Sequence, residues 1–284
     1  MAKHAYLIIA HHEFEVLSLL IQALDDPYND IYIHFDRKTK KLPLLKCEYS
    51  NLYVLDRRID IRWGHVSQIE AEYALFEVAY NSKKEYSRYH LISGTHFPLK
   101  SQTQIRDFFE KYKDKEVLSF IYTNNYEINM KLGRYNFFIK NYKNKYLIPR
   151  KMSQFLWHLL LKLQYISGIK KNEPKVTIKA NNWVSLTHKA IALIIKEKNK
   201  ILKEFRWSFC GDEYFVPYLL ENNASQYEMI NSEQLLYNEF INGNPRVLSD
   251  ADYTFLIQSE YLFARKFSDI DAIVVKKILK QVKP

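Results

Sequence analysis

Two adjacent acids, Asp212 and Glu213, stand just before an apolar run in the segment FRWSFCGDEYFVPYLL (205–220). A carboxylate in the first turn of a helix lies in the positive field of the helix N-terminus, which favours its ionised form. An ionised glutamate in that place can act as a general base, whereas an aspartate there commonly caps the helix. We therefore predict that Glu213 accepts a proton in catalysis and that Asp212 caps the helix and orients its neighbour.

Polar residues also end two predicted strands near the start of the chain. His11 and His12 follow the apolar run AYLIIA (5–10), and Asp36 ends the alternating segment DIYIHFD (30–36). Asp36 could hydrogen-bond a uracil or a ribose, although strand-end aspartates also cap helices or turns. The two histidines lack the further ligands that a metal site requires, so packing or nucleotide contact is the expectation.

Cations and a second acid pair occur in the C-terminal part of the chain. Arg246 lies in a loop with a proline, and Lys266 follows in LFARKF. Two cations at one site could neutralise a diphosphate as a divalent metal ion does elsewhere; solvated surface residues are the alternative. The Asp-x-Asp pattern of SDADY (249–253) is one that many sugar-nucleotide enzymes use to hold a metal. Its place before YTFLIQSEYLF instead predicts a helix cap at Ser249 or Asp250, so we predict no essential metal.

The composition indicates a folded, basic protein. The 284 residues are 47% hydrophobic, with a formal net charge of +10, and the lysines are spread throughout the chain. Such a surface attracts anions, which could be a nucleic acid, an anionic membrane or a phosphorylated small molecule. No nucleic-acid-binding signature accompanies the charge, so we predict no nucleic-acid partner. The two distant cysteines, Cys47 and Cys210, fit a reducing cytosol.

The sequence shows no segment that resembles a signal peptide or a spanning helix, since no apolar run reaches about 18 residues. The nearest is FLWHLLLKLQYISG (155–168), which His158 and Lys162 interrupt. A buried amphipathic helix is favoured over a basic helix that lies on a membrane surface. We predict a cytoplasmic protein, with peripheral contact at the inner face of a bacterial membrane as an open extension.

The hydrophobic periodicity predicts an α/β fold in which strands and helices alternate. Such alternation is typical of a mostly parallel sheet flanked by helices, which binds ligands beyond the carboxyl ends of its strands. The predicted strands are 5–10, 30–36, 51–56 and 86–93, and the predicted helices are 13–26 and 67–82. A strand and then a helix follow in KVTIKANNWVSLTHKAIALIIKEK, and the C-terminal third is predicted to be helical with one loop, 242–253. We predict a single domain over 1–284 with an irregular insertion at about 122–175.

Five segments, in this order along the chain, resemble glycosyltransferase family 14. This family contains the branching N-acetylglucosaminyltransferases of mucin-type glycans and the peptide O-xylosyltransferases. The segments are AYLIIAHHEFEVLSLLIQALDDPYNDIYIHFDRK, ISGTHFPLKS, NNWVSLTHKAIALII, CGDEYFVPYLL, and GNPRVL followed by LFARKF. The resemblance implies a GT-A-like fold, a UDP-sugar donor, inversion at the anomeric carbon, and neither a metal nor another cofactor.

The resemblance also implies roles for individual residues. It places Glu213 at the catalytic position, Arg246 and Lys266 at the donor diphosphate, and the nucleoside-binding edge at His11, His12 and Asp36. The supporting and acceptor-site candidates are Asp212, Trp63, His96 and Trp183. This chain has His96 where the family has an aspartate, and Gly211 where the family has a proline.

The expected reaction is transfer of N-acetylglucosamine from its UDP donor to a sugar 6-hydroxyl, in bacterial polysaccharide synthesis, with an oligosaccharide or a lipid-linked glycan as the acceptor. UDP-xylose or a UDP-hexose remains open as the donor. A glycoside hydrolase would need two carboxylates that face each other across a sugar, which adjacent acids supply poorly. A non-catalytic nucleic-acid or membrane-binding protein would explain the charge but not the ordered segments.

Overall fold

A computed structural model describes residues 3–283. Its strands are β1 (Lys3–Ala10), β2 (Asn29–Phe35), β3 (Asn51–Val54), β4 (Tyr86–Ser93), β5 (Phe97–Pro98), β6 (Lys115–Leu118), β7 (Phe120–Ile121), β8 (Lys179–Ala180), β9 (Ser185–Leu186), β10 (Glu228–Asn231), β11 (Leu236–Asn238), β12 (Phe240–Ile241), β13 (Asn244–Pro245) and β14 (Phe263–Arg265). Its α-helices are α1 (Phe14–Leu24), α2 (Ser67–Tyr80), α3 (Gln102–Lys111), α4 (Asn125–Lys131), α5 (Leu147–Ser167), α6 (His188–Lys196), α7 (Lys198–Phe205), α8 (Phe215–Glu221), α9 (Tyr253–Gln258) and α10 (Ala272–Val282).

A seven-stranded sheet in the order β10-β6-β9-β4-β1-β2-β3 forms the centre of the molecule. Strand β1 is parallel to both β2 and β4, and β2 is parallel to β3. Only the short β9 runs antiparallel to its two neighbours within this sheet. The predicted α/β fold with a mostly parallel sheet is therefore confirmed.

Successive residues of β1 point into two different apolar cores because side chains alternate across a strand. Tyr6 and Ile8 pack on the face covered by α1 and α10, whereas Ala5 and Leu7 pack on the face covered by α2 and α6. All four side chains are fully buried, and each large apolar side chain contributes about 1.5–3 kcal/mol to folding. A strand that is apolar on both faces is thus fixed between two layers of helices.

The strands at the centre of the sheet end at a common edge. Ala10 at the end of β1 is in register with Phe35 at the end of β2, and Ile9 is in register with Ser93 at the end of β4. The loops that follow these three strands therefore lie side by side. Residues that are distant in sequence meet there.

The prediction of a helical C-terminal third is wrong. Helices α7 and α8 are followed by five short strands, β10 to β14, between residues 228 and 265, and from residue 228 to residue 283 only α9 and α10 are α-helical. Strands of two to four residues are too short to show a periodicity, and they form because neighbouring segments supply their hydrogen bonds. β14, for example, pairs with β5 and β11.

Two helices, α4 and α5, lie within the segment 122–175 that was predicted to be irregular. The helix predicted at 155–168 is present as part of α5, but the prediction that it is buried is wrong. Many of its apolar side chains are exposed, including Phe155 and Ile166 at 65% and 74%. Among residues 3–283, no helix is both long and apolar enough to cross a membrane.

Candidate active site

A cleft of about 660 Å³ opens at the carboxyl edge of the central sheet. Residues 10–12 after β1, Asp36 after β2 and residues 93–95 at the end of β4 line one part of it. Trp183, Arg265 and Lys266 line it from other segments. The cleft therefore lies where parallel α/β sheets bind their ligands.

His11 and His12 form a stacked pair on the cleft wall, with ring centroids 4.0 Å apart. Burial lowers the pKa of both imidazoles, that of His12 to about 4, so both rings are neutral at neutral pH. The buried Nδ1 atom of His12 has no hydrogen-bond partner within the described chain. A neutral imidazole offers one donor and one acceptor, which suits a nucleobase or a ribose.

Asp36 lines the same wall and also holds the turn that follows β2. Its carboxylate accepts hydrogen bonds from the backbone N–H of Lys38 at 2.8 Å and from Lys38 Nζ at 2.7 Å. The position of Asp36 therefore fits both interpretations of the sequence. Its carboxylate caps a turn, and it also faces the cleft, where a nucleoside could bind. Its role toward a nucleoside stays a prediction.

Lys266 and its neighbour Arg265 bring two cations into the cleft. The Arg265 guanidinium lies 5.2 Å from the centre of the Trp183 ring, and its buried Nε has no partner within the described chain. Burial lowers the pKa of Arg265 to about 10, so the group is charged at neutral pH. Sequence reasoning overlooked Arg265, although its place beside Lys266 in LFARKF is a signal that could have revealed it.

Arg246 does not line the cleft. Its guanidinium donates to Glu239 at 2.6 Å and forms two hydrogen bonds with the Asp252 carboxylate, at 2.8 and 3.0 Å. The main chains of Arg246 and Lys266 do touch, since the N–H of Lys266 donates to the Arg246 carbonyl at 3.4 Å. Arg246 therefore supports the segment that carries Lys266, and its role as a direct diphosphate ligand stays a prediction.

Hydrogen bonds attach the segment after Lys266 to the loop that carries the two histidines. The Glu13 carboxylate accepts from Ser268 Oγ at 3.0 Å and from the N–H of Asp269 at 2.5 Å. Asp269 in turn accepts from the N–H of Val16, in the first turn of α1, at 2.9 Å. These contacts fix the spacing between the cations and the histidine pair.

The prediction that Asp212 caps a helix is wrong. Residues Gly211–Glu213 form a separate 3₁₀ turn, helix α8 begins only at Phe215, and no side chain caps either element. Asp212 is instead buried, and its Oδ2 accepts a 2.7 Å hydrogen bond from Gln68 Nε2. Burial, together with the charge of Glu213, raises the pKa of Asp212 to about 7.

Glu213 belongs to a cluster of four charged side chains. Its Oε2 lies 3.0 Å from Lys131 Nζ and 3.4 Å from Lys179 Nζ, and Glu127 Oε1 lies 2.9 Å from each of the same two nitrogens. The Glu213 side chain is 27% exposed, and it does not line the cleft itself. Asp212 and Gln68 connect it to the cleft wall, because Gln68 is one of the lining residues.

Glu72 is a second residue that sequence reasoning missed. It projects from α2 into the cleft lining, is only 1% exposed, and has no hydrogen-bond partner at either carboxyl oxygen within residues 3–283. Burial and the nearby Asp212 raise its pKa well above the usual range, which favours the neutral acid over the carboxylate. The sequence feature that could have revealed Glu72 is the presence of an acid on the buried face of α2, between Ile69 and Phe76.

Three other candidates differ in their access to the cleft. Trp63 lines it and stacks on Tyr142 with ring centroids 5.7 Å apart, and Trp183 also lines it. His96 lies behind Trp183 with a centroid distance of 4.9 Å, fully buried and hydrogen-bonded to Ser93. The two tryptophans can therefore contact a ligand directly, whereas His96 can act only through its neighbours.

The carboxylates of the Asp-x-Asp segment are engaged by cations. Asp250 bonds Lys277 at 2.7 Å and Asp252 bonds Arg246, while Ser249 and Asp252 form a capping box. Ser249 thus caps the short 3₁₀ turn Asp250–Asp252, whereas the helix for which Ser249 or Asp250 was the predicted cap, α9, begins at Tyr253 with no side-chain cap. Nowhere between residues 3 and 283 do three side chains of metal-ligating type cluster together.

These features define an α/β protein with a cleft at the carboxyl edge of a mainly parallel sheet, lined by a neutral histidine pair and by several cations that include Arg265 and Lys266. A family model described as "Core-2/I-Branching enzyme" matches residues 4–243, so the chain belongs to that family. The resemblance inferred from the five segments is thereby confirmed at the level of the family. The matched range includes Glu213 and stops before Arg246 and Lys266.

Curated relatives are similar to this chain over part of their length. A bovine beta-1,3-galactosyl-O-glycosyl-glycoprotein beta-1,6-N-acetylglucosaminyltransferase is 26% identical over 107 residues, which are 36% of this chain and 25% of that protein. A human N-acetyllactosaminide beta-1,6-N-acetylglucosaminyl-transferase is 23% identical over 153 residues, 51% of this chain and 37% of that protein. The chain thus spans about a quarter to a third of these relatives. The apo crystal structure of mouse xyloside xylosyltransferase 1 aligns with 93% of this chain and 97% of its own, at 10% identity and a TM-score of 0.40.

Proposed function

We propose that this protein is a metal-independent, inverting glycosyltransferase of GT-A type that moves a sugar from a UDP donor to a hydroxyl group of a glycan. The observation that carries the proposal is a cleft, in a member of the Core-2/I-Branching enzyme family, that joins the predicted nucleoside edge to Lys266 and Arg265. The family match and the cleft support the same function from independent directions.

The donor would lie across the carboxyl edge of the sheet. Its uridine would contact His11, His12 and Asp36, whose polar atoms line one wall of the cleft. Its diphosphate would meet Lys266 and Arg265. Direct contact by Arg246, predicted from the sequence, is the alternative that an Arg246 variant tests. Charge held in place at a leaving group stabilises the transition state, because the site does not have to reorganise as the bond breaks.

Glu213 would serve as the base. It takes the proton of an acceptor hydroxyl while that oxygen attacks the anomeric carbon, and the bond from this carbon to the diphosphate breaks to release UDP. Both lysine contacts of Glu213 go to Oε2, and we assign proton acceptance to Oε1. General-base catalysis of this kind contributes about 10²- to 10⁴-fold.

The sugar we propose is N-acetylglucosamine, with a 6-hydroxyl as the acceptor group. Support comes from the two relatives above, whose names describe beta-1,6-N-acetylglucosaminyl transfer. UDP-xylose and UDP-hexoses are the alternative donors. The acceptor we propose is an oligosaccharide or a lipid-linked glycan, and the cytoplasmic location and the role in bacterial polysaccharide synthesis stay predictions.

A thermal-shift panel of nucleotide sugars, with EDTA or with Mn²⁺, tests the proposal. A ligand that binds only the folded state stabilises it more the higher its concentration is relative to its Kd, so UDP-N-acetylglucosamine should raise the Tm in EDTA as much as in Mn²⁺. NMR of the product formed with a glycan acceptor should then show that the configuration at the anomeric carbon of the transferred sugar is inverted. A panel in which no UDP-sugar raises the Tm, combined with hydrolysis of a nitrophenyl glycoside without nucleotide, would favour a hydrolase instead.

A further inference from the structure

Helix α5 presents an apolar stripe to solvent. Only four of its residues are buried, and these lie on one narrow side: Ser153, Trp157, Leu161 and Gln164. Large apolar side chains line the opposite side, each at least 42% exposed: Ile148, Met152, Phe155, Leu159, Leu163 and Ile166. Their spacing of three or four residues keeps them on one face over about 27 Å of helix.

The segment around this stripe is basic and contains no acid. No Asp or Glu occurs between residues 128 and 172, whereas eight lysines and two arginines occur in that range. Exposed lysines lie on the helix and next to it in sequence: Lys151 and Lys162 belong to α5, Lys140, Lys143 and Lys145 precede it, and Lys170 follows it. An apolar face in a segment with cations and no acids is complementary to a surface that has an apolar interior and a negatively charged outer layer.

We propose that this face of α5, with its flanking lysines, binds an anionic lipid bilayer, with the helix lying parallel to the membrane plane. Helices that bind in this way bury an apolar face at the boundary between headgroups and acyl chains and keep their cations among the headgroups. Lysines near an anionic leaflet add an attraction that decreases with salt. The α5 face has both components.

Charge decides between a bilayer and a second copy of this chain. Two copies packed through α5 would bring two acid-free, lysine-rich segments together, and like charges at an interface oppose association. An anionic bilayer brings the opposite charge. A nucleic acid would satisfy the lysines but would leave the stripe of Ile, Phe and Leu side chains in water.

The exposed apolar face of α5 lies close to the cleft. Lys140, Lys143, Lys145 and Tyr146 line the cleft, and α5 begins at the next residue, Leu147. A membrane bound to α5 would therefore lie beside the mouth of the cleft. The bilayer contact itself does not depend on the proposed transferase activity.

Sedimentation of the full chain with sucrose-loaded vesicles tests the inference. We expect binding to phosphatidylcholine vesicles that contain about one-third phosphatidylglycerol, weaker binding at high salt, and little binding to pure phosphatidylcholine. The triple variant Phe155→Gln, Leu159→Gln, Ile166→Gln should bind at least tenfold more weakly and keep its Tm. The matched control is Phe255→Gln, Ile270→Gln, Ile273→Gln, which changes exposed apolar side chains elsewhere and should bind as the wild type does.

Three results would overturn the inference. They are equal binding of both triple variants, no binding to the anionic vesicles, and a concentration-dependent dimer in light scattering that only the α5 variant abolishes. UDP affinity measured on the same α5 variant should be unchanged, since its three positions do not line the cleft. Loss of vesicle binding would therefore leave the transferase proposal intact, and loss of UDP binding would leave the bilayer contact intact.

Discussion

Glu213 and Glu127 each contact the same two lysines. Only Glu213 belongs to the turn beside the cleft, at residues 211–213. Lys131 and Lys179 lie within 3.4 Å of a carboxyl oxygen of each glutamate. Neutralising either glutamate therefore removes a comparable pair of ionic contacts. This symmetry provides a matched control for the proposed base.

The first prediction is that Glu213→Gln lowers kcat by 10² to 10⁴, because the amide cannot accept the hydroxyl proton. UDP affinity should stay within a few-fold of wild type, as Glu213 does not line the cleft. Glu127→Gln should disturb the ion pairs equally and keep most of the turnover. Equal losses in the two variants, measured by UDP release with a glycan acceptor, would show that the cluster acts through structure alone.

The second prediction concerns the diphosphate. Lys266→Met and Arg265→Met should each weaken UDP binding by about 10- to 100-fold, because hydrogen bonds to charged groups contribute about 1.5–3 kcal/mol. Arg246→Met should change it by less than about threefold, because two carboxylates engage its guanidinium outside the cleft. Titration calorimetry with UDP gives the three affinities. A loss for Arg246→Met as large as that for Lys266→Met would mean that Arg246 binds the diphosphate directly.

The third prediction is that transfer continues in excess EDTA. Cations inside the cleft can replace a divalent ion at the leaving group, and both aspartates of the Asp-x-Asp segment are engaged by Arg246 and Lys277. The measurement is the initial rate of UDP release before and after chelation, followed by addition of Mn²⁺. Loss of activity that Mn²⁺ restores would contradict metal independence.

The fourth prediction concerns stability and pH at Asp212, whose pKa is raised to about 7 in the folded protein from an ordinary value of 3.8. Between these values the folded state binds more protons than the unfolded state, so the free energy of unfolding should fall as pH rises from 4 to 7. Asp212→Asn can keep the Gln68 hydrogen bond and lacks the titration. It should match the wild type near pH 4 and exceed it at pH 7.5, by an amount on the order of a few kcal/mol. Urea unfolding at both pH values measures this; parallel pH profiles would contradict the assignment.

The fifth prediction concerns Glu72, whose two buried carboxyl oxygens have no hydrogen-bond partner among residues 3–283. Glu72→Met should leave the free energy of unfolding equal or higher, since an unsatisfied buried polar group is removed. It should also weaken UDP-sugar binding by about tenfold, as expected when one hydrogen bond of about 1.4 kcal/mol is lost. Glu72→Gln retains a polar group of the same shape and should bind nearly as the wild type. A less stable Glu72→Met variant with normal donor affinity would assign Glu72 to the core alone.

Much of the first half of the fold could be predicted because its elements carry strong periodic patterns. β1, β2 and β4 are seven or eight residues long, are mostly buried and pair along their length, so local pattern and tertiary structure agree. β10 to β14 have two to four residues each and depend on partners far away in sequence. No local pattern predicts such strands. The exposed face of α5 has the periodicity of a buried helix, so the sequence alone could not distinguish the two.

The residues of the site also divide into those that a local sequence pattern predicts and those that it does not. His11, His12 and Asp36 could be placed because the end of a strand is visible in the sequence, and strand ends meet at one edge of a parallel sheet. Asp212 was assigned to a cap because the turn at residues 211–213, separate from α8, has no sequence signal. Arg265 and Glu72 were missed because their significance depends on which neighbours surround them, and that is set by packing between distant segments.

The hydrogen bonds from Ser268 and Asp269 to Glu13 join residues more than 250 positions apart. During translation, β1, β2 and β4 leave the ribosome long before β14 and Lys266, and they can begin to pair without them. The nascent chain thus has its histidine wall long before it receives Arg265 and Lys266. A UDP donor that contacts both the histidines and Lys266 could therefore assist only the folding steps that follow the synthesis of Lys266.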